Sequence, residues 1–102
     1  MALIVQYRRA PVTVSLSTHA RVRMQQRGIS PEALQILLEL GQVSPAPGGR
    51  QLLFLDRAHR KELGRRGKRI RERDRLKRLY AITDEHGTVV TVGHRYRRMP
   101  RI

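Results

Sequence analysis

Two consecutive helical segments between residues 17 and 41 constrain this chain most. Each begins at a hydroxyl side chain and ends at a glycine: Ser17 or Thr18 to Gly28, then Ser30 to Gly41. A serine or threonine oxygen accepts from the free N–H groups of a first helical turn, and glycine adopts the backbone of a helix end. Pro31 directly after Ser30 strengthens the second start signal. The sequence therefore predicts two short helices in succession.

The two segments differ in what they can bury. The second places a broad arc of apolar residues on one side, namely Ala33, Leu34, Ile36, Leu37, Leu38 and Leu40. The first offers only the narrow seam of Ala20 and Met24, four residues apart on one helix face. We expect the second helix to form core, and the first to be held by that seam alone.

Apolar and polar residues alternate over 11–17, which predicts a half-buried strand. Three further strands are predicted over 50–56, 76–83 and 88–95, the last two joined by a turn at Asp84–Gly87. Residues 43–49 are predicted as a loop, and 56–63 as a short helix. The predicted fold class is α+β: two N-terminal helices packed on a small curled antiparallel sheet, in a single domain over 1–102.

Charge indicates the kind of partner. Twenty-two Lys and Arg face eight Asp and Glu, a net charge of +14, and most of the cations are arginine. Eight carboxylates cannot pair with twenty-two cations, so most guanidinium groups face solvent or a ligand. Such a field attracts polyanions, and arginine binds phosphate in a bidentate manner. Nucleic acid or an acidic protein is the expected partner, ahead of a membrane surface.

The location is predicted to be cytoplasmic, with no membrane partner. The chain has no cysteine, and its apolar runs are far shorter than the ~20 residues of a membrane span. Arg8 and Arg9 follow a short apolar start where a signal peptide would continue apolar.

The first candidate site is on the first helix. His19, Arg23 and Arg27 are spaced i, i+4, i+8, so they share one side of it, while Arg21 and Gln25 point the other way. The alternative is a structural histidine with arginines that pair with acids or helix carbonyls.

The second candidate site is the end of the last strand. If Val90 and Val92 face the core, alternation sends His94 and Tyr96 the same way and Arg95 to the opposite side. Histidine, arginine and tyrosine suit metal-free cleavage of RNA: a base activates the 2′-hydroxyl, cations stabilise the phosphorane, and an acid protonates the leaving oxygen. Tyr96 could instead stack on a base or fill the core, and His94 could be a satisfied polar residue at the strand end.

A basic loop over 57–78 and a basic tail over 95–102 are predicted to clamp phosphates without sequence preference, or to be solvated surface. The candidate nucleic-acid-binding residues are Arg27 of the first site together with Arg65, Arg66, Lys68, Arg69, Arg71, Arg73, Arg97 and Arg98. No metal-binding or cofactor-binding motif occurs in the chain, so a metal-independent reaction without a cofactor is expected.

The segments "HARVRMQQRGIS" and "VVTVGHRYRR" resemble a bacterial family of unknown function with the motif HAxxRMxxRGI and a terminal "ViTvghR"-like strand. The arrangement expected here also looks like the RelE, ParE and BrnT group of toxins. That resemblance implies a RelE-like domain, a small ribonuclease toxin without a metal, and an acidic antitoxin. The long arginine-rich loop departs from that pattern.

Three hypotheses follow. The first is a metal-independent endoribonuclease toxin that acts on RNA, including ribosome-bound mRNA; His19, His94, Arg23, Arg95 and Tyr96 are its predicted catalytic residues. The second is a non-catalytic nucleic-acid-binding module, which needs the cations but not the histidines. The third is an interaction protein whose basic face docks on an acidic protein.

Overall fold

The computed structural model describes residues 2–7, 10–55 and 78–95. Within them the chain forms two α-helices and six β-strands. In chain order they are β1 (Ala2–Tyr7), β2 (Ala10–Ser15), α1 (Thr18–Arg27), α2 (Pro31–Leu40), β3 (Gln42–Ala46), β4 (Arg50–Phe54), β5 (Leu79–Thr83) and β6 (Val89–His94). A 3-10 turn over Pro47–Gly49 joins β3 to β4.

The described strands form two antiparallel sheets. One is the hairpin β1-β2, and the other has the order β3-β4-β5-β6. α1 packs chiefly on β6, whereas α2 packs on β1 of the first sheet and on β4 and β5 of the second. The predicted fold, with two N-terminal helices on one small curled sheet, is therefore wrong: a hairpin precedes the helices, and they lie between strands.

β1 is one reason for this error. Its side chains alternate, with Leu3 and Val5 buried and Ile4 exposed, as expected of a strand with one face on the core. The strand pairs along its length with β2, Ile4 opposite Thr13. No strand was predicted over this short apolar run. A strand there depends on a partner, because a lone strand leaves its backbone groups unpaired.

β3 is the second reason. Residues 43–46, predicted as loop, pair with β4 in register, Ser44 opposite Leu52. Pro45 cannot donate to a ladder, but β3 is an edge strand, where proline is tolerated. The strands predicted over 11–17, 50–56, 76–83 and 88–95 are confirmed as β2, β4, β5 and β6. The turn between the last two is confirmed as well, with Gly87 at φ 80°.

Both predicted helices are confirmed with their ends. Ser17 Oγ accepts from the N–H of Ala20 at 3.0 Å, and Ser30 Oγ accepts from the N–H of Ala33 at 3.1 Å. Gly28 ends α1 in the left-handed conformation, at φ 64°. Gly41 ends α2 with an extended backbone instead.

The core joins the two sheets through the helices. Its fully buried large side chains come from α2, from the residue after β4, and from β5 and β6: Leu34, Leu37, Leu55, Leu79, Val89 and Val92. In the described ranges, no helix is long and apolar enough to span a membrane.

Candidate nucleic-acid interface

α1 is fixed at its beginning to the start of β6. The backbone N–H of Ser17 donates to the carbonyl of Val89 at 2.9 Å, and Ser17 Oγ donates to the carbonyl of Val90 at 3.0 Å. Along the helix, Ala20 and Met24 are the buried residues, as the sequence predicted. These contacts hold α1 along one narrow side, and most of its other residues are exposed.

The available side of α1 carries His19, Arg23 and Arg27, which we call the α1 basic face. His19 and Arg27 are exposed, and Arg23 is half-buried. Residues four apart on a helix lie one turn apart, about 5 to 6 Å between Cβ atoms, so the three cationic or ionisable side chains form one row. α1 contains no acidic residue. Among the described residues, no side-chain hydrogen bond or ion pair engages Arg23 or Arg27.

Arg21 lies on the other flank of α1. There it lines a surface groove of about 310 Å³ together with Val22, Met24, Gln25, Ile29 and Pro31. Arg21 is exposed, like Arg27, and carries the same charge on the same helix. It therefore serves as a matched control for the α1 basic face.

The register of β6 differs from expectation near the start of the strand. The register shifts between Ile82 and Thr83, which pair with Thr91 and Val89, so Val90 is an extra residue in the ladder. Val89 and Val92 face the core, and the condition that Val90 does so is wrong. His94 pairs with the buried Leu79 and is half-buried.

Arg95 connects the ends of three strands. Its Nη2 donates to the carbonyl of Leu55 at 2.9 Å, and its guanidinium carbon stands 5.4 Å from the centre of the Phe54 ring. Its backbone N–H donates to the carbonyl of Arg78 at 2.7 Å. These contacts give Arg95 a structural role beside β4 and β5, in addition to the catalytic role predicted for it.

The two histidines belong to different ends of the α1–β6 pair. The start of α1 is bonded to Val89 and Val90, and about 13 Å of strand separates Val90 from His94 at roughly 3.3 Å per residue. A base and an acid that act on one phosphodiester both lie within hydrogen-bond reach of it. By position in the fold, His19 lies in one cluster with Arg23 and Arg27, and His94 lies in a second cluster with Arg95. That both histidines act on one phosphodiester stays a prediction from the sequence.

A further group was missed from the sequence. Tyr80 pairs with Phe54 on one side and with Gly93 on the other. A Cβ on Gly93 would stand 2.9 Å from Tyr80 Oη and 3.0 Å from its Cε1 and Cζ, so the phenol end of the ring rests where glycine has no side chain. The sequence shows that Tyr80 points to the face opposite to that of Leu79 and Ala81. That Gly93 lies beside Tyr80 follows only from the register of β5 against β6.

The remaining predicted site residues lie outside the described residues. They are Tyr96, Arg97 and Arg98 of the tail and Arg65, Arg66, Lys68, Arg69, Arg71 and Arg73 of the basic segment; the short helix predicted over 56–63 lies outside them too. In residues 2–7, 10–55 and 78–95, no group of three or more His, Asp or Glu is placed to hold a metal ion.

Comparisons with known proteins do not assign the chain to a family. The chain matches no protein-family model, no curated protein and no solved structure. The resemblance to the HAxxRMxxRGI family and to RelE-type toxins therefore stays a prediction from the sequence.

Proposed function

We propose that this chain binds RNA through the α1 basic face. The observation that carries the proposal is the state of Arg23 and Arg27: both lie on one side of a helix without acids, and no described residue pairs with either. In a chain of net charge +14, two such guanidinium groups one turn apart form a phosphate-binding row.

Salt dependence of binding tests this. Fluorescence anisotropy of a labelled single-stranded RNA would be measured from 50 to 200 mM salt for the full chain. Arg27→Gln should reduce the slope of log affinity against log salt by about 0.7, the value for one lost phosphate contact on a single strand. Arg21→Gln removes the same charge from the other flank and should leave the slope nearly unchanged. Equal slopes for the two variants would contradict binding at the α1 basic face.

Cleavage of the bound RNA is the second candidate function, favoured by the position of His19 one helical turn before Arg23. With the phosphate on Arg23 and Arg27, the imidazole of His19 takes the proton of the 2′-hydroxyl, and the resulting oxyanion attacks phosphorus. The 5′-oxygen leaves with a proton from water or from His94, the donor predicted from the sequence. The products are a 2′,3′-cyclic phosphate and a 5′-hydroxyl end. An acidic antitoxin, ribosome-bound mRNA as substrate and a cytoplasmic location belong to this toxin proposal.

Product analysis tests the enzyme proposal. RNA incubated with purified protein in EDTA, with and without ribosomes, should yield 2′,3′-cyclic phosphate ends. His19→Ala, purified in parallel, should lose the activity and keep the RNA affinity. His94→Ala examines the second cluster: unchanged cleavage would remove His94 from the reaction. No cleavage by the wild type would leave RNA binding as the function.

A further inference from the structure

The four-stranded sheet has one face toward the helices and one face away from them. Leu53, Ala81 and Val92 belong to the core shared with both helices. Successive residues of a strand point to opposite faces, so Phe54, Tyr80 and Gly93 form a row across β4, β5 and β6 on the other face. We call this side the outer sheet face.

Tyr80 is the accessible aromatic residue of this row. Phe54 is only 6% exposed, and the guanidinium of Arg95 stands over its ring. Tyr80 is half-buried, and its phenol end rests on Gly93. The Tyr80 ring therefore lies along the sheet surface over Gly93, and part of it is exposed to solvent.

Two arginines lie at the end of the sheet where β5 begins and β6 ends. Arg78 is exposed, directly precedes β5 and stands two residues before Tyr80. Arg95 N–H bonds to the carbonyl of Arg78, so the two residues lie side by side at the ends of their strands. An aromatic surface next to cations suits a ligand that combines a flat ring with phosphate.

We propose that Tyr80 on the outer sheet face is a stacking site for a base of single-stranded RNA. This rests on the proposed RNA-binding function and assigns to it a second contact surface. β6 links the two surfaces, because α1 packs on this strand and Gly93 of the same strand supports the Tyr80 ring. Single strands expose their bases for stacking on aromatic side chains, whereas a duplex keeps its bases paired.

Matched variants of Tyr80 test the proposal. Tyr80→Leu keeps an apolar side chain without an aromatic face, and Tyr80→Phe keeps the ring. Loss of one stacked base should lower the affinity for a labelled single-stranded RNA 12-mer by roughly 5- to 150-fold in Tyr80→Leu. The affinity of Tyr80→Phe for this RNA should stay within about 2-fold of the wild-type affinity, because stacking needs the ring and not the hydroxyl. Inorganic polyphosphate, which has no bases, should bind all three proteins equally, as should duplex RNA. The affinity for a single-stranded DNA 12-mer, measured in the same way, shows whether the ribose contributes to binding.

A spectroscopic measurement keeps the test valid if Tyr80→Leu folds poorly. The chain has three tyrosines and no tryptophan, so in a Tyr7→Phe/Tyr96→Phe background the tyrosine emission comes from Tyr80 alone. Oligouridylate should quench this emission, and polyphosphate should not.

The outcomes separate the two proposals. If the wild type binds neither RNA nor polyphosphate, the proposed function itself fails. If the wild type binds RNA while a folded Tyr80→Leu binds it equally well, the stacking site is wrong and binding through α1 stands. Equal quenching of Tyr80 by polyphosphate and oligouridylate would also overturn the stacking site.

Discussion

α1 and α2 are neighbouring helices of the same length and with the same kind of start, yet they are used in opposite ways. Each has ten residues, a serine N-cap and a glycine directly after its last turn. α2 buries Ala33, Leu34, Ile36 and Leu37, whereas α1 buries only Ala20 and Met24. α1 contains three arginines and no acid, and α2 contains two glutamates and no lysine or arginine.

This difference shows how a small basic domain divides its tasks. Most stability of a helix in a protein comes from tertiary packing of its apolar face, and α2 supplies that packing between the two sheets. α1 needs only enough contact to stay in place, which Ser17 and two small or flexible side chains provide. The rest of the α1 surface does not pack in the core, so it can carry charged side chains that bind a ligand.

The largest expected effect tests the role of α2. Leu37 is fully buried, so Leu37→Ala removes its packing and leaves a cavity, at a cost of about 2 to 5 kcal/mol in the free energy of unfolding. Urea denaturation followed by circular dichroism measures it. Val22→Ala in α1 is the control, because Val22 is 45% exposed; its effect should stay within about 0.5 kcal/mol. Similar losses for the two variants would contradict the comparison.

A smaller effect is expected at the joint between α1 and β6. Ser17→Ala removes both the cap on Ala20 and the bond to the Val90 carbonyl, which should cost about 1 to 2 kcal/mol in urea denaturation. Ser17→Thr retains a hydroxyl and should cost only a few tenths by the same capping scale, about 0.3 kcal/mol. If threonine were as damaging as alanine, the hydroxyl would not be what holds α1.

The helices were predictable because their signals are local. Ser17, Gly28 and Ser30 act on backbone groups within a few residues, and the burial of Ala20 and Met24 follows from helical spacing. The strands were predictable where apolar residues alternate within one segment, as in β2 and β5.

What could not be predicted depends on pairing between distant segments. β1 and β3 exist because β2 and β4 lie beside them, and the extra residue Val90 changes which valines of β6 face the core. The contact of Tyr80 with Gly93 has the same origin, since only the register places a glycine under that ring. The arginines of the candidate site could be recognised from spacing, but the bonding of the start of α1 to the start of β6, with His94 at the other end of that strand, could not.

The smallest effect on stability is expected for Arg27→Gln, which removes a side chain that we propose contacts RNA. Arg27→Gln loses a favourable charge in the last turn of α1, worth about 0.3 kcal/mol when exposed, and lowers a net charge of +14 that repels itself. These terms oppose each other, so the free energy of unfolding should change by less than about 0.5 kcal/mol. Arg21→Gln, measured beside it in urea, should behave alike in stability and differ only in RNA binding. A loss above about 1 kcal/mol for Arg27→Gln would be atypical of a surface substitution. It would show that Arg27 supports the fold, and that α1, like α2, stabilises the domain through its side chains.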